Sequence, residues 1–205
     1  LELFTSQVAK VGMTDGIRQV LQEESDALRA YYEQAGILIA RPAGGTSCRL
    51  AISAKGGTNA ENHNHNDVGS YAVALGSETM VGDQGGPNSY PGDYFNGDAP
   101  QKYKIKGSFG HPVPVVDGRT QSSGGKAKGV VLQKEFTNEK DVFSIDYTSA
   151  YSTPNLDKLI RTFVYDRQGE GNFTVGDEFT AKTPIRFETA ITTRADWKIL
   201  DDTHL

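Results

Sequence analysis

Histidines are few in this chain, and three of the four stand at the edges of predicted strands. His63 and His65 lie in a polar run that precedes an apolar strand, and His111 stands just ahead of the apolar run 113–116. Asp83 ends another short run and is followed closely by glycines. Imidazole is the commonest metal ligand in proteins and titrates closest to neutral pH. These residues can therefore hold a metal or move a proton.

Two histidines two residues apart can both bind a single metal ion. If the segment 63–65 is extended, both imidazoles point to the same side of the strand. Two histidines and one carboxylate from the set His63, His65, Asp83 and His111 would be an ordinary zinc ligand set with an open fourth position, and would also suit other divalent ions. Hydrogen-bonded loop histidines without a metal remain the alternative, and Asp67 competes with Asp83 as the carboxylate.

The bulk composition limits both the fold and the partners. The 205 residues suffice for one large domain, and 23 glycines with nine Tyr and nine Phe are typical of a loop-rich β protein. The net charge of -5 argues against nucleic acid as a partner. No apolar run is long enough to span a bilayer. Cys48 is the one cysteine, so an internal disulfide is excluded.

The period of the apolar residues changes along the chain. Residues 14–32 carry an amphipathic pattern that predicts a helix, and residues 1–35 are interpreted as a partly helical linker. Residues 36–205 have a period of two, with turn residues between short runs. This predicts an all-β domain, a large antiparallel β-sandwich of two sheets with about ten or more strands. The predicted strands are 37–40, 49–53, 71–75, 79–81, 113–116, 129–132, 142–147, 159–165, 173–179, 185–193 and 197–200.

The segment 84–110 is long and rich in Gly, Pro, Asn, Asp and Tyr. Loops of that length inside a compact domain usually have a function. Tyr90 and Tyr94 could stack on a sugar or hydrogen-bond it, and Asn64 could bind ligand oxygens. The alternative is that the tyrosines are packed loop aromatics and that the amide stabilises irregular backbone.

Three blocks of the sequence, in this order, match the pattern of a known family. They are NHNHNDVGS at 62–70, VGDQGG at 81–86 and GHPVPVVDG at 110–118 with Gln121, and the match extends to RTFVY at 161–165 and DEF at 177–179. With these blocks, roughly residues 35–195 resemble the C-terminal β-sandwich of the heparinase II/III-like polysaccharide lyases. The usual aspartate-proline-glycine turn is Asp83-Gln84-Gly85 here, which alters the turn but keeps the carboxylate.

This resemblance implies an activity and roles for the histidines. Members of the family cut uronic-acid-containing polysaccharides by β-elimination, in a cleft between an N-terminal α/α toroid and the sandwich. The resemblance implies that a zinc, mainly structural, is bound by His65, Asp83 and His111. It also implies that His63 faces the cleft, where it takes part in catalysis or neutralises the substrate carboxylate.

The toroid of such lyases supplies the catalytic Tyr, an Asn and a further His, and nothing in residues 1–35 is typical of it. We therefore expect this chain to be part of a longer lyase that acts on an acidic polysaccharide, and to be inactive alone. The resemblance implies a periplasmic or secreted protein. Candidate contacts for a polyanion near the cleft are Lys102, Lys104, Lys106 and Arg119.

Two other function classes compete with the lyase. A cupin-like metal enzyme also uses a His-x-His pair, but it normally adds a Glu soon afterwards, and the first Glu after His65 is Glu78. A non-catalytic carbohydrate-binding or structural sandwich with a structural metal remains open.

Overall fold

The computed structural model describes residues 27–83, 85–193, 196 and 198–201. Twelve strands are present in these residues, in two five-stranded antiparallel sheets and a two-stranded ribbon. The strands are β1 Arg29–Tyr32, β2 Ile37–Ala40, β3 Leu50–Lys55, β4 Gly57–Asn59, β5 Tyr71–Leu75, β6 Glu78–Val81, β7 Pro114–Val116, β8 Gly124–Phe136, β9 Lys140–Asp146, β10 Leu156–Asp166, β11 Asn172–Ala181 and β12 Phe187–Thr189.

The strand order is β1-β2-β3-β5-β6 in the first sheet and β11-β10-β9-β8-β4 in the second, while β12 pairs with β7. The predicted all-β sandwich of two large antiparallel sheets is therefore confirmed. The hairpin between β5 and β6 closes at Gly76, as the turn residues predict. Among the described residues, no helix has the length and hydropathy that a membrane span requires.

Alternating side chains place one face of each sheet in a shared core. In β2, Leu38 and Ala40 are buried while Ile37 and Ile39 are partly exposed, as expected when successive residues point to opposite faces. In β10 every second residue from 159 to 165 is buried. The buried cluster joins both sheets and includes Leu38, Ala40, Ile52, Ala54, Phe143, Ile145, Leu159, Phe163 and Tyr165.

The predicted helix over 14–32 is wrong at its described end. Residues 29–32 form β1, which pairs with β2 along its whole length. Tyr31 packs edge-on against the core ring of Phe143, with ring centroids 5.8 Å apart. This packing and the pairing with β2 outweigh the local helical pattern. The first sheet therefore includes residues before the predicted boundary at 36, and residues 14–26 lie outside the described part.

Three other segments differ from the predicted pattern. Of the predicted strand 185–193 only Phe187–Thr189 forms, because its partner β7 is equally short. Residues 198–200 are not a strand, and Trp197 is outside the described residues. The long segment 84–110 contains the short helix α1, Ala99–Lys102, and two 3-10 turns, Lys104–Lys106 and Ser108–Gly110.

A charged side chain occupies an inward-facing position of β10. Arg161 is 1% exposed, and its guanidinium binds Asp177 of β11 through Nε to Oδ1 at 2.8 Å and Nη2 to Oδ2 at 2.6 Å. The hydroxyl of Tyr147 donates to the same carboxylate at 2.8 Å. Nη1 donates to the carbonyl oxygens of Gly69 at 2.8 Å and Pro112 at 2.7 Å. One side chain thus joins the second sheet to the segments that precede β5 and β7.

We expect Arg161→Met to destabilise the fold by about 3–5 kcal/mol, because it leaves the carboxylate of Asp177, whose side chain is only 13% exposed, without its cation. The measurement is the free energy of unfolding in urea. The matched control is Arg186→Met, which breaks the ion pair with Glu188 at 2.8 Å on the surface and is expected to cost less than about 1 kcal/mol. Equal losses in the two variants would contradict this structural role of Arg161.

Candidate metal centre and the neighbouring histidine

The three predicted metal ligands come from separate segments that meet in space. His65 lies between β4 and β5, Asp83 follows β6, and His111 follows a 3-10 turn just ahead of β7. Nδ1 of His65 lies 3.0 Å from Nε2 of His111 and 3.8 Å from Oδ2 of Asp83. Among the described residues these three form a group whose ligand atoms all lie within 4.8 Å of one another.

The donor set and its spacing fit a divalent transition metal. In a tetrahedral site with bonds of about 2.0–2.2 Å, neighbouring ligand atoms are about 3.3 Å apart. The separations of 3.0 and 3.8 Å around Nδ1 of His65 lie on either side of that value. The side chain of His111 is buried and that of Asp83 is 49% exposed, so one side of the group faces solvent.

The protonation of His65 also suits a ligand. Burial lowers the pKa of His65 below its ordinary value of 6.5, and the neighbouring His111 lowers it further, while Asp83 acts in the opposite direction. The imidazole is therefore mainly neutral at pH 7. A neutral imidazole is the form that coordinates a metal.

Buried polar groups fix the backbone that follows His65. The amide N–H of Asn66 donates to the carbonyl oxygen of Lys106 at 2.8 Å, and Nδ2 of Asn66 donates to the carbonyl oxygen of Gln121 at 3.1 Å. The side chain of Gln121 accepts from the N–H of Val68 at 3.0 Å and donates to its carbonyl at 2.7 Å. This segment is irregular, and side chains satisfy the backbone groups that a strand would have paired.

Arg161 ties the two histidine segments to each other. Its Nη1 donates to the carbonyl of Gly69, four residues after His65, and to the carbonyl of Pro112, directly after His111. Gly69 has a φ of 86°, and a Cβ there would lie 3.2 Å from a buried tyrosine ring. A side chain at Gly69 would therefore strain the backbone that presents this carbonyl to the guanidinium.

Asp67, the competing carboxylate, has a structural role. It forms an ion pair with Lys55 and accepts a hydrogen bond from Ser70 Oγ at 3.2 Å. It is not a member of the metal-ligand group. A pocket of about 210 Å³ lies beside this ion pair and reaches Asp83 and His111.

His63 is separate from the metal group and lies exposed beside it. Its φ of 58° is in the left-handed region, so the segment 63–65 is not extended. The condition under which both imidazoles would point to one side is therefore not met. The ring of His63 instead stacks on Phe95, with centroids 4.3 Å apart and planes inclined by 28°, whereas His65 contacts His111.

Asn64, the amide between the two histidines, is partly buried. Its Nδ2 donates to Oδ1 of Asn66 at 3.3 Å. Its Oδ1 is buried and has no hydrogen-bond partner among the described residues. The predicted role of Asn64 in binding a ligand stays a prediction, with this oxygen as the available acceptor.

The two tyrosines predicted to bind a sugar differ in exposure. Tyr90 is 57% exposed and keeps one side open. Tyr94 is 1% exposed, and its ring contacts those of Tyr90, Phe95 and Tyr103 at centroid distances of 5.0 to 5.2 Å. The prediction that Tyr94 stacks on a sugar is therefore wrong, because neighbouring aromatic side chains cover its ring.

Two lysines predicted to contact a polyanion have other partners. Lys106 is 2% exposed, and burial lowers its pKa. Its Nζ donates to the carbonyl of Tyr94 at 2.6 Å. Lys102 is exposed but forms an ion pair with Asp93. Lys106 is therefore excluded as a surface contact.

Sequence reasoning missed the roles of Arg161, Phe95 and Lys106 around this site. A signal was available for Arg161 alone, since the alternation of 159–165 calls for an apolar residue at its position. No local pattern marked Phe95 as a neighbour of His63, because the two lie on segments 32 positions apart that only the fold brings together.

We expect the metal-free chain to lose stability as the pH falls below 6.5, the ordinary pKa that His65 regains on unfolding. Above that pH both states hold the imidazole neutral. Below it the unfolded state takes up the proton first, so the free energy of unfolding falls until the pH drops below the lowered folded-state pKa. Urea unfolding in EDTA at a series of pH values measures this. His65→Gln should flatten the profile, and parallel profiles would contradict the assignment.

Comparisons with known proteins were made for both sequence and structure. Neither a protein-family model nor a curated protein matches the sequence. The crystal structure of heparan sulfate lyase HepC from Pedobacter heparinus matches with a TM-score of 0.61 and 18% identity, over 89% of this chain and 27% of that chain. The crystal structure of a mutant of HepC matches with a TM-score of 0.59 and 19% identity, over 77% of this chain and 23% of that chain.

These matches concern the fold and cover a part of the lyase. This chain spans about a quarter of the length of HepC. At this identity the likeness shows the shared architecture. The chain therefore has the fold of a part of a heparan sulfate lyase, as its resemblance to the heparinase II/III-like lyases predicts.

Proposed function

We propose that this chain is the C-terminal sandwich of a polysaccharide lyase that cleaves uronic-acid-containing polysaccharides by β-elimination. The observation that carries the proposal is the position of His63, exposed beside the His65, Asp83 and His111 group, on a sandwich with the fold of a part of a heparan sulfate lyase. An N-terminal α/α toroid in the longer protein would form the other wall of the cleft. The sandwich alone would then lack the complete set of catalytic groups.

The reaction needs groups that an exposed imidazole can partly supply. In β-elimination a base removes the proton at C5, beside the uronate carboxylate, and the C4–O bond breaks as a double bond forms between C4 and C5. The leaving oxygen takes up a proton. The negative charge that builds up on the carboxylate must be offset by hydrogen bonds or positive charge. We assign to His63 the contact with this carboxylate or with the proton in transfer, and a Tyr of the toroid would complete the transfer.

We further propose that the group formed by His65, Asp83 and His111 binds zinc. Support comes from its two imidazoles and one carboxylate, from ligand-atom separations of 3.0 and 3.8 Å, and from the lowered pKa of His65. A bound zinc supplies a fixed positive charge and cross-links three segments of the chain. This role is mainly structural, because it steadies the backbone on which His63 is presented.

The proposed substrate is an acidic polysaccharide, with the heparan sulfate of the matched lyase as one member of that class. Tyr90 is exposed next to Phe95, which carries the stacked imidazole of His63. Asn64 adds an acceptor without a partner among the described residues. By the same resemblance, we propose that the longer protein is periplasmic or secreted.

A second candidate is sugar binding without cleavage. Exposed aromatic rings favour this candidate, because such rings stack on sugar faces. Tyr90 is 57% exposed and Phe95 is 46% exposed on one surface. A binding module would form no unsaturated product even with His63 in place. Its affinity for the polysaccharide would also be unchanged when His63 is replaced.

We expect His63→Gln in the full-length protein to slow cleavage by about 100-fold or more, the usual contribution of a proton-transferring group. The measurement is the rate at which unsaturated uronate, which absorbs in the ultraviolet, is released from the polysaccharide. The control is His204→Gln, which changes the histidine outside the three sequence blocks and should leave the rate unchanged. A wild-type protein that releases no unsaturated product, or a His63→Gln variant with full activity, would contradict the proposal.

A further inference from the structure

We propose that Phe95 is a positioning residue for His63 and that Lys106 fixes Phe95 in place. This inference rests on the proposed function, from which His63 takes its catalytic role. The phenyl ring of Phe95 stacks on the imidazole at a centroid distance of 4.3 Å. The side chain of Phe95 is nevertheless 46% exposed, so burial alone does not account for a large apolar side chain at this place.

The backbone of His63 needs support from its surroundings. A φ of 58° in a non-glycine residue is an uncommon, strained conformation that persists where neighbouring groups hold it. Glu61, Asn62 and His63 are all exposed, so the core does not constrain this turn. Stacking on Phe95 confines the plane of the imidazole and therefore the direction in which its ring nitrogens point.

Lys106 connects the segment of Phe95 with the segment of the histidines. Its Nζ donates to the carbonyl of Tyr94, directly before Phe95, at 2.6 Å. Its own carbonyl accepts from the N–H of Asn66, directly after His65, at 2.8 Å. A single residue thus sets the distance between the two segments.

The environment of Lys106 favours this role over a surface one. The side chain is 2% exposed, and burying an ammonium group is costly unless it finds partners. Besides the carbonyl it meets the rings of Tyr94 and Phe95, whose centroids are 4.7 and 5.1 Å from Nζ. Cation–π attraction offsets part of the cost and draws Phe95 towards the lysine.

A positioning role predicts a particular kinetic change. A displacement of about 1 Å in a catalytic group can slow a reaction by about 100-fold without weakening substrate binding. If Phe95 acts through His63, its loss lowers kcat and leaves KM nearly unchanged. If Phe95 instead contacted the sugar directly in both ground and transition states, its loss would raise KM and leave kcat unchanged.

The experiment compares three phenylalanine variants in the full-length protein, with kcat and KM measured on the polysaccharide. We expect Phe95→Leu to lower kcat by about 10-fold or more with KM within about twofold of the wild type, and Phe95→Tyr to restore kcat because it keeps the flat ring. The matched control is Phe109→Leu, at a residue that is also exposed, at 57%, and contacts Lys104. It should change neither constant.

A second readout does not depend on activity. In proton NMR spectra of this chain, the ring current of Phe95 should displace the imidazole resonances of His63, which His63→Gln identifies by their loss. Phe95→Leu should remove the displacement, Lys106→Met should reduce it, and Phe109→Leu should leave it unchanged.

The outcomes separate this inference from the proposed function. A raised KM with unchanged kcat in Phe95→Leu, or wild-type kinetics in that variant, would overturn the positioning role while the lyase activity stands. Imidazole resonances of His63 that do not shift in Phe95→Leu would overturn the positioning role as well. If the wild-type full-length protein released no unsaturated product, the proposed function would fail, and the NMR result would still decide whether Phe95 holds the ring.

Discussion

A buried guanidinium has to find acceptors for its donors, and the site depends on where Arg161 finds them. Asp177 of β11 accepts from Nε and Nη2, and the hydroxyl of Tyr147 donates to the same carboxylate. The remaining nitrogen, Nη1, donates to the carbonyls of Gly69 and Pro112, which belong to the two histidine segments. Buried donors of a charged group are costly to leave without acceptors, so these hydrogen bonds oppose any separation of the two loops. The placement of the two histidine segments relative to each other therefore depends on a buried side chain of the sandwich.

The three histidines of the site differ in burial for the same reason. His111 sits next to the carbonyl that Arg161 holds, and it is buried together with much of His65. His63 lies two residues earlier, outside this network and exposed to solvent. Two largely buried imidazoles that could coordinate a metal thus stand beside an exposed histidine. Phe95 and Lys106 supply for His63 the support that the core supplies for the other two.

The sequence predicted most of what depends on local period and little of what depends on tertiary contact. Alternating apolar residues marked strands such as 71–75, because one face of the sheet must be buried. The resemblance carried by the three blocks predicted that His65 lies close to Asp83 and His111. The left-handed φ of His63 could not be predicted from the pattern, since few non-glycine residues adopt it and no local sequence signal marks which of them do. The strand at 29–32 and the burial of Tyr94 likewise depend on tertiary packing, of Tyr31 against Phe143 and of Tyr94 against Tyr103 and Lys106.

The metal content of the purified chain tests most directly whether His65, Asp83 and His111 form a zinc centre that does not include His63. Elemental analysis of the wild type should find about one zinc per chain, as expected for a site of this donor set. His63→Ala should retain the metal and His65→Ala should lose it. A wild-type chain without zinc after gentle purification, or equal zinc in both variants, would contradict this assignment of the zinc ligands.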